Sequence, residues 1–279
     1  MNFKLLTLTT FTMIAFAANS VFCRLALIDQ DNSPLSFTLV RVLSGAIILS
    51  IFFFKDFKKE PIQINMASVL APITLFFYAL FFSLSYVNID AGLGALILFA
   101  CVQITMITSA LAKGQKMNFY QAIGFTLALA GFVYLLLPGA GVPPLRATGL
   151  MITSGVCWGV YSLLGQGVKN PIFSNAQNFI FTFPLVLAFF VVFPFELTKS
   201  GAFWAVLSGS LTSGLGYTLW YIVLKDLVTS TASIVQLSVP ALAILGGVVF
   251  LHEPISFRLV IATTLIFIGI VINITSKTK

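Results

Sequence analysis

Long apolar runs separated by short polar breaks dominate the chain: residues 5–27, 35–54, 66–86, 91–111, 118–137, 147–168, 175–195, 203–224, 229–251 and 256–274. A helix rising about 1.5 Å per residue needs roughly 20 apolar residues to cross about 30 Å of hydrocarbon, and every run is close to that length. Breaks such as Asp29 to Pro34, Lys113 to Lys116 and Lys225 to Leu227 are too short to house a soluble domain. The runs are rich in Phe and β-branched residues, which in water favour strands. In lipid each segment must pair its own backbone groups, so the pattern predicts helices. The expectation is an all-α integral membrane protein with ten transmembrane helices.

The interruption from Pro138 to Arg146 carries Gly139, Gly141, Pro143 and Pro144 and falls at the middle of the chain. It reads as a Pro/Gly-rich linker, residues 138–146, between a five-helix repeat at 1–137 and another at 147–279. A shift of 138 residues pairs Phe119 with Phe257, Ile123 with Ile261, Thr126 with Thr264, Gly131 with Gly269 and Val133 with Val271. Five is odd, so a duplicated second half must enter the membrane from the opposite face. Inverted repeats of this kind underlie alternating access in many secondary transporters.

Composition narrows the picture. Only 8% of residues are charged, against 59% hydrophobic, and mean hydropathy is +1.05; a soluble chain carries roughly a quarter charged residues. The net charge of +7 comes from cations scattered between apolar runs, with no basic stripe for nucleic acid. With the amino terminus inside, one side collects Lys4, Lys55, Lys58, Lys59, Lys113, Lys116, Lys169, Lys225, Lys277 and Lys279. The other receives Arg24, Arg146, Lys199 and Arg258. That bias places both termini in the cytoplasm. Lys4 and the small residues Ala15 and Ala17 resemble a secretory signal, but the apolar character continues to Ile28, so a retained first helix is expected. Cys23, Cys101 and Cys157 sit inside apolar runs without metal-ligand spacing, and they read as packing residues. No metal or cofactor is expected.

Within the spans, Asn19, Gln103 and Gln236 must find partners or face a wet cavity, because a bare amide in lipid is costly. Each is a candidate contact to a polar solute or a bond between helices. Tyr78, Trp158, Tyr161, Tyr217 and Trp220 lie deep enough to wall a cavity, whereas Tyr86, Trp204 and Tyr221 are nearer span ends and fit an interfacial belt. Arg41, about 9 Å into the second helix by rise, could hold a substrate carboxylate, snorkel toward the outer face, or pair structurally with Asp29, Asp31 or Asp90. Pro240 interrupts the ninth helix four residues after Gln236 and is a candidate hinge. Gly155 with Gly159, and Ser210 with Gly214, make small-residue pairs suited to close helix packing.

The stretches Val239-Pro240-Ala241 and Phe250 through Ser256, with Gly269 and Arg41, resemble the drug/metabolite transporter superfamily, specifically bacterial ten-helix exporters with two tandem EamA-type domains. The resemblance covers about residues 5–274. It implies an inner-membrane carrier whose cavity is formed by the first, third, fourth, sixth, eighth and ninth helices, with members exporting amino acids and other metabolites. Trp158-Gly159 keeps the family's Trp-Gly look in the second half; Ala17-Ala18 replaces it in the first. The expected function is export of a small metabolite, such as an amino acid or amphipathic solute, with the lipid bilayer as the only other partner. The oligomeric state stays open and a monomer is allowed. An enzyme is not expected: the one histidine, His252, sits beside Glu253 at a helix end, and the carboxylates fall on different sides of the membrane. A non-transporting scaffold is the alternative class. No acid lies mid-span, so a carboxylate proton relay is not expected either.

Overall fold

The computed structural model describes residues 3–28, 31–56, 65–114, 117–137, 143–189, 193–227, 229, 232 and 235–276. Lys58, Lys59, Lys116, Lys277, Lys279 and Asp29, along with residues 138–142 of the expected linker, lie outside this set. The architecture is all-α and multi-pass, with no strand among the described residues. The helices are α1 (Phe3–Leu27), α2 (Pro34–Asp56), α3 (Met66–Tyr86), α4 (Ala91–Ala112), α5 (Phe119–Leu136), α6 (Leu145–Gly165) and α7 (Pro171–Phe189). They continue with α8 (Lys199–Leu207), a π-helical stretch (Ser208–Leu215), α9 (Gly216–Leu224), α10 (Ser238–Leu251) and α11 (Phe257–Thr275). Among the described residues, six helices, α1 to α6, are long and apolar enough to cross a membrane.

Helix starts follow local chemistry. Asn65 and Asn118 each accept from the backbone N–H three residues on, and Ser68 and Gln121 return the bond to complete capping boxes. Thr198 and Ser256 cap α8 and α11 in the same one-way fashion.

Two apolar stretches depart from a uniform helix. The eighth run loosens into π geometry where Ser208-Gly-Ser-Leu-Thr-Ser-Gly offers small polar side chains in place of bulky ones. The ninth run breaks into a turn at Gln236 and Leu237 before α10 begins. Pro240 then occupies the third position of α10. Having no N–H, it leaves the Gln236 carbonyl to accept from Val239 N at 3.1 Å instead.

Packing is pairwise. Helix α5 lies along α11, α3 along α6, α2 along α7, and α4 touches both α6 and α10; α1 contacts α10 and the whole α8–π–α9 rod. Gly155 and Gly159 bring α6 onto α4: a Cβ at Gly155 would sit 2.5 Å from the Leu98 carbonyl oxygen, and one at Gly159 would sit 2.8 Å from Thr105 Cβ. The eighth run also packs through a glycine, but through Gly209, which lies against the backbone of Arg41, while Ser210 faces outward and bonds Val206 O. The α5–α11 contact is reciprocal. Gly131 meets Ala262 and Ile266, and Gly269 meets Gly124 and Ala128, so each partner sits 138 residues from its counterpart.

Candidate functional site

The centre is built on Asn19, from the middle of α1. Its side-chain carbonyl accepts from Ser208 Oγ at 2.6 Å and Thr212 Oγ1 at 3.0 Å, both supplied by the π-helical stretch. That fixes the amide's orientation and turns Nδ2 toward Tyr78 OH (3.2 Å) and Tyr217 OH (3.4 Å). The two hydroxyls lie 2.8 Å apart. Behind them, Arg41 donates from NH2 to Tyr217 OH at 2.6 Å and Tyr78 OH at 3.2 Å, and from Nε to Ser213 Oγ at 2.9 Å. Its guanidinium lies 4.9 Å from the Phe82 ring centroid and 5.3 Å from that of Tyr78. π-Helical segments are rare and frequently mark functional sites; here the altered winding aims Ser208, Thr212, Ser213 and Tyr217 at one centre.

A cavity of about 10 Å³, room for roughly one water, adjoins these hydroxyls and is lined by Asn19, Ser20, Tyr78, Trp158 and Tyr217. Phe16, Phe82, Leu98 and Phe99 complete its walls. The aromatic packing is tight: Trp158 lies 4.5 Å from Tyr217 and 4.9 Å from Tyr78 between ring centroids, and Phe16 meets Trp158 edge-on at 5.2 Å.

The candidate residues therefore separate. Asn19, Tyr78, Trp158 and Tyr217 share the cavity, with Arg41 one layer behind. Gln236 stands behind Trp158, accepting its indole N–H at 3.0 Å and donating to Ala232 O at 3.3 Å, as a bond between helices. Trp220 packs on Phe16 and donates to Ser162 Oγ at 3.1 Å. Gln103 lies elsewhere, in an apolar lateral crevice between α4, α5 and α11, since nothing in an apolar run tells which side of α4 faces inward. Among the described residues Arg41 pairs with no carboxylate, because its side chain extends to the tyrosines rather than to the faces; Asp29 lies outside that set. Tyr86 and Tyr221 are not belt residues: both are fully buried, with Tyr86 OH on Ala91 O at 3.2 Å and Tyr221 OH on Tyr161 O at 3.3 Å.

On one side of the centre lies a vestibule of about 620 Å³. Asn65 and Ser68 at the start of α3, Gln166 to Asn170 between α6 and α7, and Ser174, Gln177 and Asn178 of α7 give it a polar lining. Its floor is Tyr221, joined by Asn178 Nδ2 at 3.4 Å; the same Nδ2 reaches Tyr161 OH at 3.3 Å, and Tyr161 donates to Asn175 Oδ1 at 2.6 Å. The amides Asn175, Gln177 and Asn178 crowd one span, a polar cluster visible in the sequence that composition-wide reasoning passes over.

The opposite side is sealed. Arg24, at the end of α1, donates from NH1 to Tyr86 O at 2.9 Å and Val87 O at 2.8 Å, and pairs with Glu253 at 3.6 Å and Asp90 at 3.8 Å. Both Glu253 oxygens accept from Ala91 N at 2.9 Å, so this carboxylate caps α4 from the far half of the chain. His252, left-handed at φ 55°, ends α10 and turns the chain so that Glu253 points inward. Burial pushes the Glu253 carboxyl above its ordinary value, with Asp90 adding to the rise and Ala91, Gly92 and Arg24 opposing it. Thr198 N on Asn32 Oδ1 (2.7 Å), Ser33 N on Glu196 O (2.9 Å) and Glu196 N on Ser36 Oγ (2.9 Å) complete the seal.

The profile of the EamA-like transporter family matches residues 4–137 and 145–275. The chain belongs to that family. A Pseudomonas aeruginosa relative, the uncharacterized protein PA1977, is 41% identical over 96% of this chain and 93% of its own. The uncharacterized transporter YoaV of Bacillus subtilis is 26% identical over 88% of each chain. A solved crystal structure, 21% identical, superposes with a TM-score of 0.68 over 94% of this chain and 95% of the other, which shows the shared fold. The family is one of transporters, and this multi-pass chain is a member of it. The cavity draws on α1, α3, α4, α6 and the α8–π–α9 rod, as the family resemblance implies, but α10 adds no lining side chain.

Proposed function

We propose that the protein is a secondary transporter that exports a small amphipathic metabolite across the inner membrane by alternating access. The observation that carries this reading is a buried polar centre lying between a sealed face and a vestibule. In this reading ten spans form two inverted five-helix repeats, 1–137 and 147–279, joined by 138–146. Three features support it. The family profile matches both halves. The α5–α11 contact is reciprocal under a 138-residue shift, as a twofold axis between antiparallel helices requires. The packing also exchanges under swapping of halves: α3 on α6 answers the α8–π–α9 rod on α1, and α4 on α6 answers α10 on α1.

Charge bias puts both termini and the vestibule on the cytoplasmic side, so the structure represents the loading state of an exporter. Solute enters past Tyr221 and Asn178 and binds at Asn19, Tyr78, Trp158 and Tyr217, with Tyr161 and Trp220 buttressing the wall. The turn at Gln236, fixed by Pro240, gives the ninth span a hinge. Purified protein in vesicles, challenged with a panel of labelled metabolites, is expected to move at least one solute down its gradient, with Tyr217→Phe slowing flux more than it lowers protein yield. Absence of flux for the whole panel from correctly folded protein would overturn the carrier reading.

A further inference from the structure

The central cluster has more donors than acceptors. Arg41 offers five N–H groups; three find Ser213, Tyr78 and Tyr217, but NH1 has no partner, although Arg41 is 1% exposed. Asn19 points its amide N–H groups at the same two tyrosine oxygens, its own carbonyl being occupied by Ser208 and Thr212. One tyrosine proton can lie between the hydroxyls at 2.8 Å. The other finds no acceptor among the described residues, since Ser213 Oγ, which accepts from Arg41, itself donates to Tyr217 OH at 3.3 Å. Every described acid sits at or beyond a helix end, so the guanidinium is buried in the bundle with no counter-anion among the described residues. A buried charge is costly unless paired, and the faces of Phe82 and Tyr78 offset only part of that cost.

We propose that the cargo is an organic monocarboxylate: its carboxylate accepts from Tyr78, Tyr217 and Asn19, its charge balances Arg41, and its apolar body lies against Phe16, Phe99 and Trp158. This rests on the carrier reading and narrows its substrate class. One cation and two adjacent hydroxyls match a single planar carboxylate. No described carboxylate stands near the cavity to receive an ammonium group, so a simple acid is favoured over an amino acid. Because the present cavity has the volume of about one water, binding requires the aromatic wall to part, and Trp158, as part of that wall, reports it.

The test titrates detergent-purified protein with 3-phenylpropanoate, its neutral amide 3-phenylpropanamide, and L-phenylalanine, following tryptophan fluorescence. The acid is expected to bind at least about tenfold tighter than either of the others, a factor expected of a charge-assisted hydrogen bond relative to a neutral one. Tyr217→Phe and Tyr78→Phe, which remove only hydroxyls, are expected to shrink that preference, and Arg41→Lys to keep part of it. Equal binding of acid and amide, tighter binding of phenylalanine, or binding of none of the three would overturn the assignment. Flux separates the two readings: an amide or amino acid that is bound and moved leaves the carrier standing and removes the carboxylate. An acid that is bound but never moved does the reverse.

Discussion

The two faces of the bundle close in different currencies. One is held by an ionic knot, Arg24 with Glu253 and Asp90, that joins α1, α3, α4 and the α10–α11 connection, and so ties the two halves of the chain together. The other has a 620 Å³ vestibule and, beneath it, a floor of neutral bonds around Tyr221, Tyr161 and Asn178, three of them at 3.3 Å or longer. Charged bonds at good geometry are roughly twice as strong as neutral ones. The asymmetry teaches which barrier is the harder to part from this state: the ionic seal, with the tyrosine floor yielding first.

Thiol accessibility tests that directly. In a Cys157→Ser background, a cysteine at Ser174 in the vestibule should react readily with a small polar maleimide, while one at Ser36, buried in the seal, should react roughly a hundredfold more slowly if opening costs about 3 kcal/mol. Cys23 and Cys101 are buried and stay silent. Arg24→Ala removes the cation that both carboxylates face; it is expected to destabilise the protein by about 3 kcal/mol and to erase most of the difference in labelling. Equal labelling of the two positions in the unmutated seal would break the comparison.

A smaller effect comes from protons. Glu253 faces Arg24 and Asp90, with His252 beside it, and its carboxyl titrates above the ordinary range because it is buried. The folded state thus holds this proton more tightly than the unfolded chain does. Its contribution to stability is full below the ordinary carboxylate range and is lost as pH rises through the raised value, with a slope of at most about 1.4 kcal/mol per pH unit. Melting temperature measured from pH 4 to pH 8 should show that decline in the parent and a flatter curve in Glu253→Gln. Identical curves would remove Glu253 as the titrating group.

The bilayer is why the fold was so legible. A span must be about 20 apolar residues and helical, so the run read at 91–111 appears as Ala91–Ala112 and that at 66–86 as Met66–Tyr86. The same uniformity hides the site. An all-apolar helix does not announce its inner face, which is why Gln103 landed in a lateral crevice, and the partners of Arg41 are 37, 172 and 176 residues away. Tyr86 and Tyr221 were misplaced for another reason: distance from a helix end measures depth only where no vestibule or knot adds protein around that end. Beside the amides of α7, the run Ser208 to Gly214 was a second overlooked local signal, seven residues almost without bulk in the middle of a span.

The smallest predicted effect bears on the weaker barrier. Tyr221→Phe deletes the hydroxyl that bonds Tyr161 O and receives Asn178 Nδ2; both bonds are long and neutral, so the cost should be about 1 kcal/mol. If this floor is the step that solute crosses between vestibule and centre, exchange on the vestibule side should quicken about fivefold, the kinetic equivalent of that energy. Ser36→Ala removes one bond of similar strength, to Glu196 N, on the sealed face, and should leave vestibule-side exchange as it was. The pair thereby separates a local barrier from general loosening of the bundle: solute exchange in vesicles that quickened equally in both variants would mean that neither face governs access by itself.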